Sequence, residues 1–357
     1  MPRVMAAMLL GLLITTPAIA GPQVTIYAHG LEIPWAIAFA PDGRAFVTER
    51  PGRVRVIRDG RLDPNPVAVL PVAHVGEGGL LGLALDPEFP RRPFVYVYYT
   101  YQEMGLRNRV ERLREENGQL IRDRVILDGI PGAFVHDGGR IAFGPDGMLY
   151  IGTGDAQQAD LAQNPRSLAG KILRITPDGE IPRDNPISGS PVYSLGHRNV
   201  QGLTWHPQTK RLYATEHGPS GERGCCQDEV DIIRPGGNYG WPEVTGDGHA
   251  RDPRYVVPLV HSGGETWAPS GAVFISNGPW RGRFLFATLR GRHLRMLVLS
   301  EDGGGVVRQE RIVEGFGRLR DVVEGPDGAL YVLTNNRDGR GSPAPDDDRI
   351  LRIQIPR

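Results

Sequence analysis

The chain has 357 residues and carries 41 Lys+Arg against 41 Asp+Glu, so no charge excess points to nucleic acid or an anionic membrane as a partner. Lysine occurs only at Lys171 and Lys210, which makes the cationic side chains almost all arginine. With 48 glycines and 31 prolines between apolar, periodic segments, the composition predicts many tight turns rather than disorder.

The first residues, MPRVMAAMLLGLLITTPAIA, place Arg3 ahead of an apolar run and end in Ala18-Ile19-Ala20, the small-x-small pattern of a signal-peptidase site. The reading is a signal peptide over 1–20 and a mature chain from Gly21 that is periplasmic or secreted. No later stretch approaches the roughly 18 uninterrupted apolar residues of a membrane span, so no stable membrane insertion is expected.

Six copies of one unit follow. Each is a short apolar strand, a turn of the Pro-Asp-Gly kind and a second strand rich in Tyr, Phe and Val, often with a third strand behind it. They begin at Trp35 (WAIAFAPDGRAFVTERPGRVRVI), Leu81 (LGLALDPEFPRRPFVYVYYT), Arg140 (RIAFGPDGMLYIGTGD), Gly202 (GLTWHPQTKRLYATEHG), Gly271 (GAVFISNGPWRGRFLFATLRGRHLRMLVL) and Arg320 (RDVVEGPDGALYVLTNN). The residues ahead of the turns, Phe39, Leu85, Phe143, Trp205, Phe274 and Val323, are spaced by 46, 58, 62, 69 and 49 residues. Such spacing suits one four-stranded sheet per unit, and no long segment after the leader shows a helical period. The predicted fold is all-β: a six-bladed β-propeller of four-stranded antiparallel blades, a single domain over 21–357. An array of β-sandwiches is the runner-up, although sandwich strands do not usually repeat one hairpin signature in this way.

Propeller loops gather around a central channel, so polar clusters just ahead of the first strands converge in space. VGEGGLLG precedes the second unit, FVHDGGR the third, SLGHRNVQGL the fourth and GRLRDV the sixth, while TEHGPSG and ATLRGRH follow strands of the fourth and fifth. Together they bring Glu77, His136, His197, Arg198, Asn199, Arg290, Arg318 and Arg320 to one mouth, with His136 a base among several fixed cations. The cysteines, Cys225 and Cys226, are adjacent and build no disulfide framework. An oxidising compartment permits a vicinal ring there, read as a local redox or conformational staple.

HDGGRIAFGPDGMLYIGTGD, LGHRNVQGLTW, TEHGP, DEVDII followed by GGNYGWP, and RLRDVVEGPDGALYVLT occur in that order over the whole mature chain. This set resembles the soluble pyrroloquinoline quinone (PQQ) dependent glucose and aldose sugar dehydrogenases. The resemblance implies an exported quinoprotein that oxidises an aldose at C1 to a lactone by hydride transfer to PQQ and passes the electrons to an external acceptor, with a monomer the favoured state. It makes His136 the general base, oriented by Asp155; an imidazole suits the task because its ordinary pKa, about 6.5, leaves the neutral form available. Glu77, Arg198, Asn199, Arg290, Arg318 and Arg320 fall at cofactor-binding positions, where guanidinium groups suit the three carboxylates of PQQ. Calcium is the second implied cofactor, a Lewis acid held by the backbone carbonyls of Gly218 and Pro219. Glu229 and Tyr239 match a second, structural calcium site of the aldose branch.

The chain departs from that pattern in four places. Glu77 stands where the glucose enzyme has glutamine, and a negative charge beside a tricarboxylate is unfavourable unless neutralised or turned away. Arg290 replaces the usual lysine, Val135 stands where the glucose enzyme has aspartate, and GERGCCQ lengthens the loop after Pro219. These differences argue against strict glucose specificity. Two other functions fit the fold: a calcium-dependent lactonase-type propeller, which would need acidic and amide side chains where arginines cluster here, and a non-catalytic extracellular binding propeller.

Overall fold

The computed structural model describes residues 22–220 and 225–355, so the leader over 1–20 lies outside the described residues. They form the expected propeller of six antiparallel sheets. Blade one holds Pro34–Phe39, Ala45–Glu49 and Arg53–Arg58, with Arg61–Leu62 and Ala68–Val69 at its outer edge; blade two holds Leu80–Leu85, Phe94–Gln102, Leu106–Glu116 and Gln119–Pro131. Blade three holds Ile141–Phe143, Leu149–Gly152, Lys171–Ile175 and Val192–Leu195, and blade four Val200–Trp205, Leu212–Glu216, Glu229–Ile233 and Val260–His261. Blade five runs through Pro269–Phe274, Phe284–Thr288, His293–Leu299 and Val306–Glu314, and blade six through Leu319–Glu324, Leu330–Thr334 and Ile350–Gln354. The outer strand of blade six is Gln23–Ala28, antiparallel to Ile350–Gln354, so the two ends of the chain close the ring in one sheet. The described residues hold no α-helix, only short 3-10 turns such as Ala159–Ala162, and no helix long and apolar enough to cross a membrane.

The repeated turn has one physical design. In blades one, three and six, Gly43, Gly147 and Gly328 stand at φ 88°, 74° and 74°, and Asp42, Asp146 and Asp327 each accept the N–H of the residue two further on at 3.1 Å. Glycine supplies the left-handed step, and the aspartate ties down the strand that follows.

The innermost strands carry a second repeated feature. Five of the six break register at the same place: between Pro34 and Ala36, Leu80 and Leu83, Val200 and Gly202, Pro269 and Ala272, and Leu319 and Asp321. The skipped residues include Trp35, Gln201, Ser270 and Arg320. A β-bulge re-aims a side chain that strict alternation would send elsewhere; here Arg320 Nη1 meets Gln201 Oε1 at 2.8 Å and Ser270 Oγ at 3.4 Å. Just below, Arg140 of blade three crosses the channel to Asp321 of blade six at 3.0 Å, with its guanidinium 4.3 Å from the Trp35 ring. This plug divides the channel: a cavity of about 450 Å³ opens on one side of it, and one of about 260 Å³ lies on the other.

Candidate active site

The larger cavity is lined from all six blades or the loops leading into them. His136 is held in it from three sides. Its Nδ1 lies 2.8 Å from Asp155 Oδ1, its N–H donates to Glu77 Oε2 at 3.0 Å, and its carbonyl accepts the Ala156 N–H at 3.2 Å. Asp155 can come this close because Gly154 has no side chain; a Cβ there would sit 1.8 Å from the His136 carbonyl oxygen. The other carboxylate oxygen of Asp155 accepts Trp241 Nε1–H at 2.8 Å. A carboxylate at Nδ1 selects the tautomer protonated there, which leaves Nε2 as the basic nitrogen.

The cations stand together as expected. Arg198, Arg290, Arg318 and Arg320 all line the cavity. Burial pulls the Arg198, Arg318 and Arg320 guanidinium groups below their ordinary value, Arg320 to about 9. Arg198 Nε and Arg320 Nε are buried without a hydrogen-bond partner. Buried cations with unused donors favour an anionic ligand, because a low-dielectric site strengthens the attraction that offsets their lost hydration.

Asn199 and His197 stand one layer behind the wall. Asn199 Oδ1 accepts the Gly138 N–H at 3.0 Å. His197, expected at the mouth, is instead fully buried between Ser194 Oγ at 2.8 Å and Glu216 Oε2 at 2.7 Å, stacked on Tyr239 with centroids 4.6 Å apart. A polar cluster ahead of a strand turns only some of its side chains toward the channel, and His197 faces the blade interior.

Gly218 and Pro219 line the cavity beside Asp228, whose Oδ1 accepts the Gly218 N–H at 2.9 Å. Glu229 belongs to a group of three buried carboxylates, with Glu216 and Asp231, whose oxygens lie within 4.8 Å of one another. Neither oxygen of Asp231 has a partner, and burial with mutual repulsion lifts Glu229 and Asp231 well above the ordinary carboxylate range. The Tyr239 hydroxyl is engaged with the Ile232 carbonyl at 2.7 Å and the Arg234 N–H at 2.8 Å, and its carbonyl oxygen with His249 Nε2 at 2.9 Å. Cys225 and Cys226 are joined as a disulfide, and Cys226 meets the cavity wall beside Thr266, whose Oγ1 is 2.9 Å from its Sγ.

A family model described as Glucose / Sorbosone dehydrogenase matches residues 31–351. The chain belongs to the glucose/sorbosone dehydrogenase family. Aldose sugar dehydrogenase YliI of Escherichia coli is 33% identical over 348 residues, spanning 89% of this chain and 91% of its own. Among solved structures, an oxidoreductase (glucose dehydrogenase) of Thermus thermophilus has a TM-score of 0.88 and 54% identity over 93% of this chain and 100% of its own. The PQQ-bound aldose sugar dehydrogenase of Streptomyces coelicolor has a TM-score of 0.83 and 38% identity over 95% of this chain and 99% of its own.

This member of the glucose/sorbosone dehydrogenase family also places residues in the site that sequence reasoning missed: Trp35, His217 and Arg340. Trp35 had a signal, because it opens the first unit where Arg320 opens the sixth. His217 sits inside TEHGP; burial, with Arg320 and Arg198 nearby and Glu77 opposing them, brings its imidazole down to about 3, so it is neutral over the physiological range. Arg340 had no signal at all, arriving from the long connection between two strands of blade six.

Proposed function

We propose that this enzyme is an exported quinoprotein that oxidises aldose sugars at C1 to lactones, with PQQ and calcium as cofactors, and hands the electrons to an external acceptor. The observation that carries the reading is His136, locked on Asp155 by one ring nitrogen at the wall of a cavity otherwise rich in arginine. The family and the PQQ-bound relative support it.

The residues fit the cofactor. Arg318 and Arg320 would pair with its carboxylates, and Arg198 and Arg290 would add charge from the neighbouring wall, as bidentate guanidinium groups do with planar anions. The orphaned donors of Arg198 and Arg320 are the ones such a ligand would satisfy. Gly218 and Pro219 offer backbone oxygens to calcium, a hard cation. Glu216, Glu229 and Asp231 form the better-built cation site, since three buried carboxylates, with both oxygens of Asp231 unpartnered, are stable as anions together only around a positive charge; Tyr239 braces that site through its stack on His197. When bound, the quinone would supply a two-electron acceptor for the hydride leaving C1, and calcium a Lewis acid.

The chain's own residues manage the proton. His136 Nε2 takes it from the sugar C1 hydroxyl, and Asp155 holds the ring in register and stabilises the imidazolium that results. The Trp241 indole keeps Asp155 in place.

The test is dye-coupled aldose oxidation by the purified mature protein, first stripped of cofactor and then with PQQ and calcium added together. Activity that needs both, and that His136→Ala abolishes while PQQ uptake persists, is the expected result. Sugar oxidation near the parent rate by His136→Ala would falsify the assignment of the base, and no PQQ binding at all would favour a non-catalytic propeller.

A further inference from the structure

A carboxylate at position 77 stands at the edge of a cavity suited to anions, yet both of its oxygens are already engaged. Oε2 accepts the His136 N–H at 3.0 Å, and Oε1 meets Arg340 Nη1 at 2.6 Å. Arg340 reaches it from blade six, past blade one, and its own backbone N–H is tied to Asp338, the ion-pair partner of Arg318.

The backbone beneath Glu77 is clamped as firmly. Its N–H donates to the Phe134 carbonyl at 2.8 Å. Gly76 packs so closely on the same carbonyl that a Cβ would lie 1.8 Å from the oxygen. Buried Arg50 donates to the Gly76 and Gly78 carbonyls from blade one. The segment presenting Glu77 is therefore rigid, and it faces the segment carrying the base.

His136 needs such support. It is not glycine, yet it stands at φ 66°, a left-handed conformation that is strained for a side-chain-bearing residue and persists only where surrounding structure imposes it. Asp155 holds its ring and Ala156 its carbonyl; the remaining backbone group, the N–H, has Glu77.

We propose that Glu77 is a positioning residue for His136: as an anionic acceptor it holds the backbone conformation that aims the imidazole into the cavity, while Arg340 cancels its charge so that it can stand beside an anionic cofactor without binding it. The inference rests on the reading of His136 as the base, and it assigns Arg340 a role as counter-charge of the site. Burial by itself would push the Glu77 carboxyl up, but the His136 N–H, the nearby His217 and Arg340 together outweigh it and hold it at about 2, so the acceptor is ionised at every working pH.

The experiment compares Glu77→Ala, Glu77→Gln, Arg340→Gln and the double variant Glu77→Gln/Arg340→Gln. Three readouts are needed: amide hydrogen exchange in the cofactor-free protein, PQQ affinity by titration, and kcat and KM for an aldose with PQQ and calcium. Glu77→Ala should raise exchange over residues 134–139 at least tenfold with the blade cores unchanged, and lower kcat at least tenfold while KM moves less than threefold. Glu77→Gln keeps an acceptor and should recover most of the lost kcat. Arg340→Gln leaves an uncompensated carboxylate and should weaken PQQ at least fivefold, and the double variant should restore the affinity.

Unchanged exchange over 134–139 in Glu77→Ala, or Glu77→Gln as impaired as Glu77→Ala, overturns the positioning role. Additive losses of PQQ affinity in the double variant overturn the role of Arg340, and this comparison stands even if the alanine variant does not fold. A parent protein that oxidises no aldose would sink the proposed function, while the exchange comparison would still decide whether Glu77 holds His136.

Discussion

Trp241 and Asp155 are joined by a 2.8 Å hydrogen bond from the indole N–H to Oδ2, the carboxylate oxygen turned away from His136. The strand-end aspartate is thereby held from behind by a residue of a different blade, and its freedom to swing away from the imidazole is removed. Trp241→Phe should lower kcat for aldose oxidation about tenfold, roughly the worth of one hydrogen bond to a charged group. Asp155→Asn, which no longer enforces the tautomer, should lower it on the order of 100-fold or more. Both are read in steady-state kinetics, with PQQ affinity as the control that should change little.

Arg318 and Arg320 are buried, and Arg318 already has one anionic partner in Asp338 at 2.9 Å. Arg320 has only neutral hydrogen-bond partners, Gln201 and Ser270. Replacing either with glutamine should weaken PQQ binding by roughly 10- to 100-fold, the range of a charge-assisted bond in a desolvated site. Arg320→Gln should be the more severe in an equilibrium titration, because its charge is the less committed elsewhere.

The three carboxylates at Glu216, Glu229 and Asp231 predict a metal-dependent stability. Without a cation, Glu229 and Asp231 hold protons far above their ordinary range. A raised folded pKa contributes stability at low pH that is lost as pH rises. Chelator treatment should therefore lower the melting temperature more at pH 8 than at pH 5, and calcium should reverse it. In Glu229→Gln/Asp231→Asn the pH-dependent part of the chelator effect should vanish; an unchanged pH dependence would move that cation elsewhere.

Asp137 follows the base and is buried with its Oδ2 unpartnered. Burial, opposed by the Ala133 N–H and Asn108, raises its carboxyl to about 6 from an ordinary 3.8. Its stabilising proton is held below pH 3.8 and lost as pH climbs through 6, a cost of about 3 kcal/mol by pH 8. Asp137→Asn removes the titration, so urea unfolding should show the variant gaining stability relative to the parent between pH 4 and pH 8.

Arg140 and Asp321 form the ion pair that plugs the channel. Arg140→Met leaves Asp321 buried without its charge partner and should cost about 3–5 kcal/mol, read as a drop in the urea midpoint. Arg140→Met/Asp321→Leu should recover much of that loss, since an apolar pair needs no hydration.

Sequence alone determined the ring. Six repeats of a strand, a tight turn (Pro-Asp-Gly in three of them) and a second strand could be counted directly, because that hairpin is a local structure written in turn chemistry and alternation. His136 and the four arginines were legible for the same reason, each lying beside a repeat whose place in the ring was known, whereas Asp155 came only with the family resemblance. Other features rest on distant contacts. The Gln23–Ala28 strand closes blade six only because the ends of the chain meet there, and nothing local announces it. Trp35, Gln201 and Ser270 reach the channel through bulges that break the alternation from which a side chain's direction is inferred. Arg340 meets Glu77 across 263 residues of chain. Turn types and strand periods are decided among neighbours in sequence, whereas the balance of charge around a cavity is decided by which blades face one another, and that only the tertiary structure supplied.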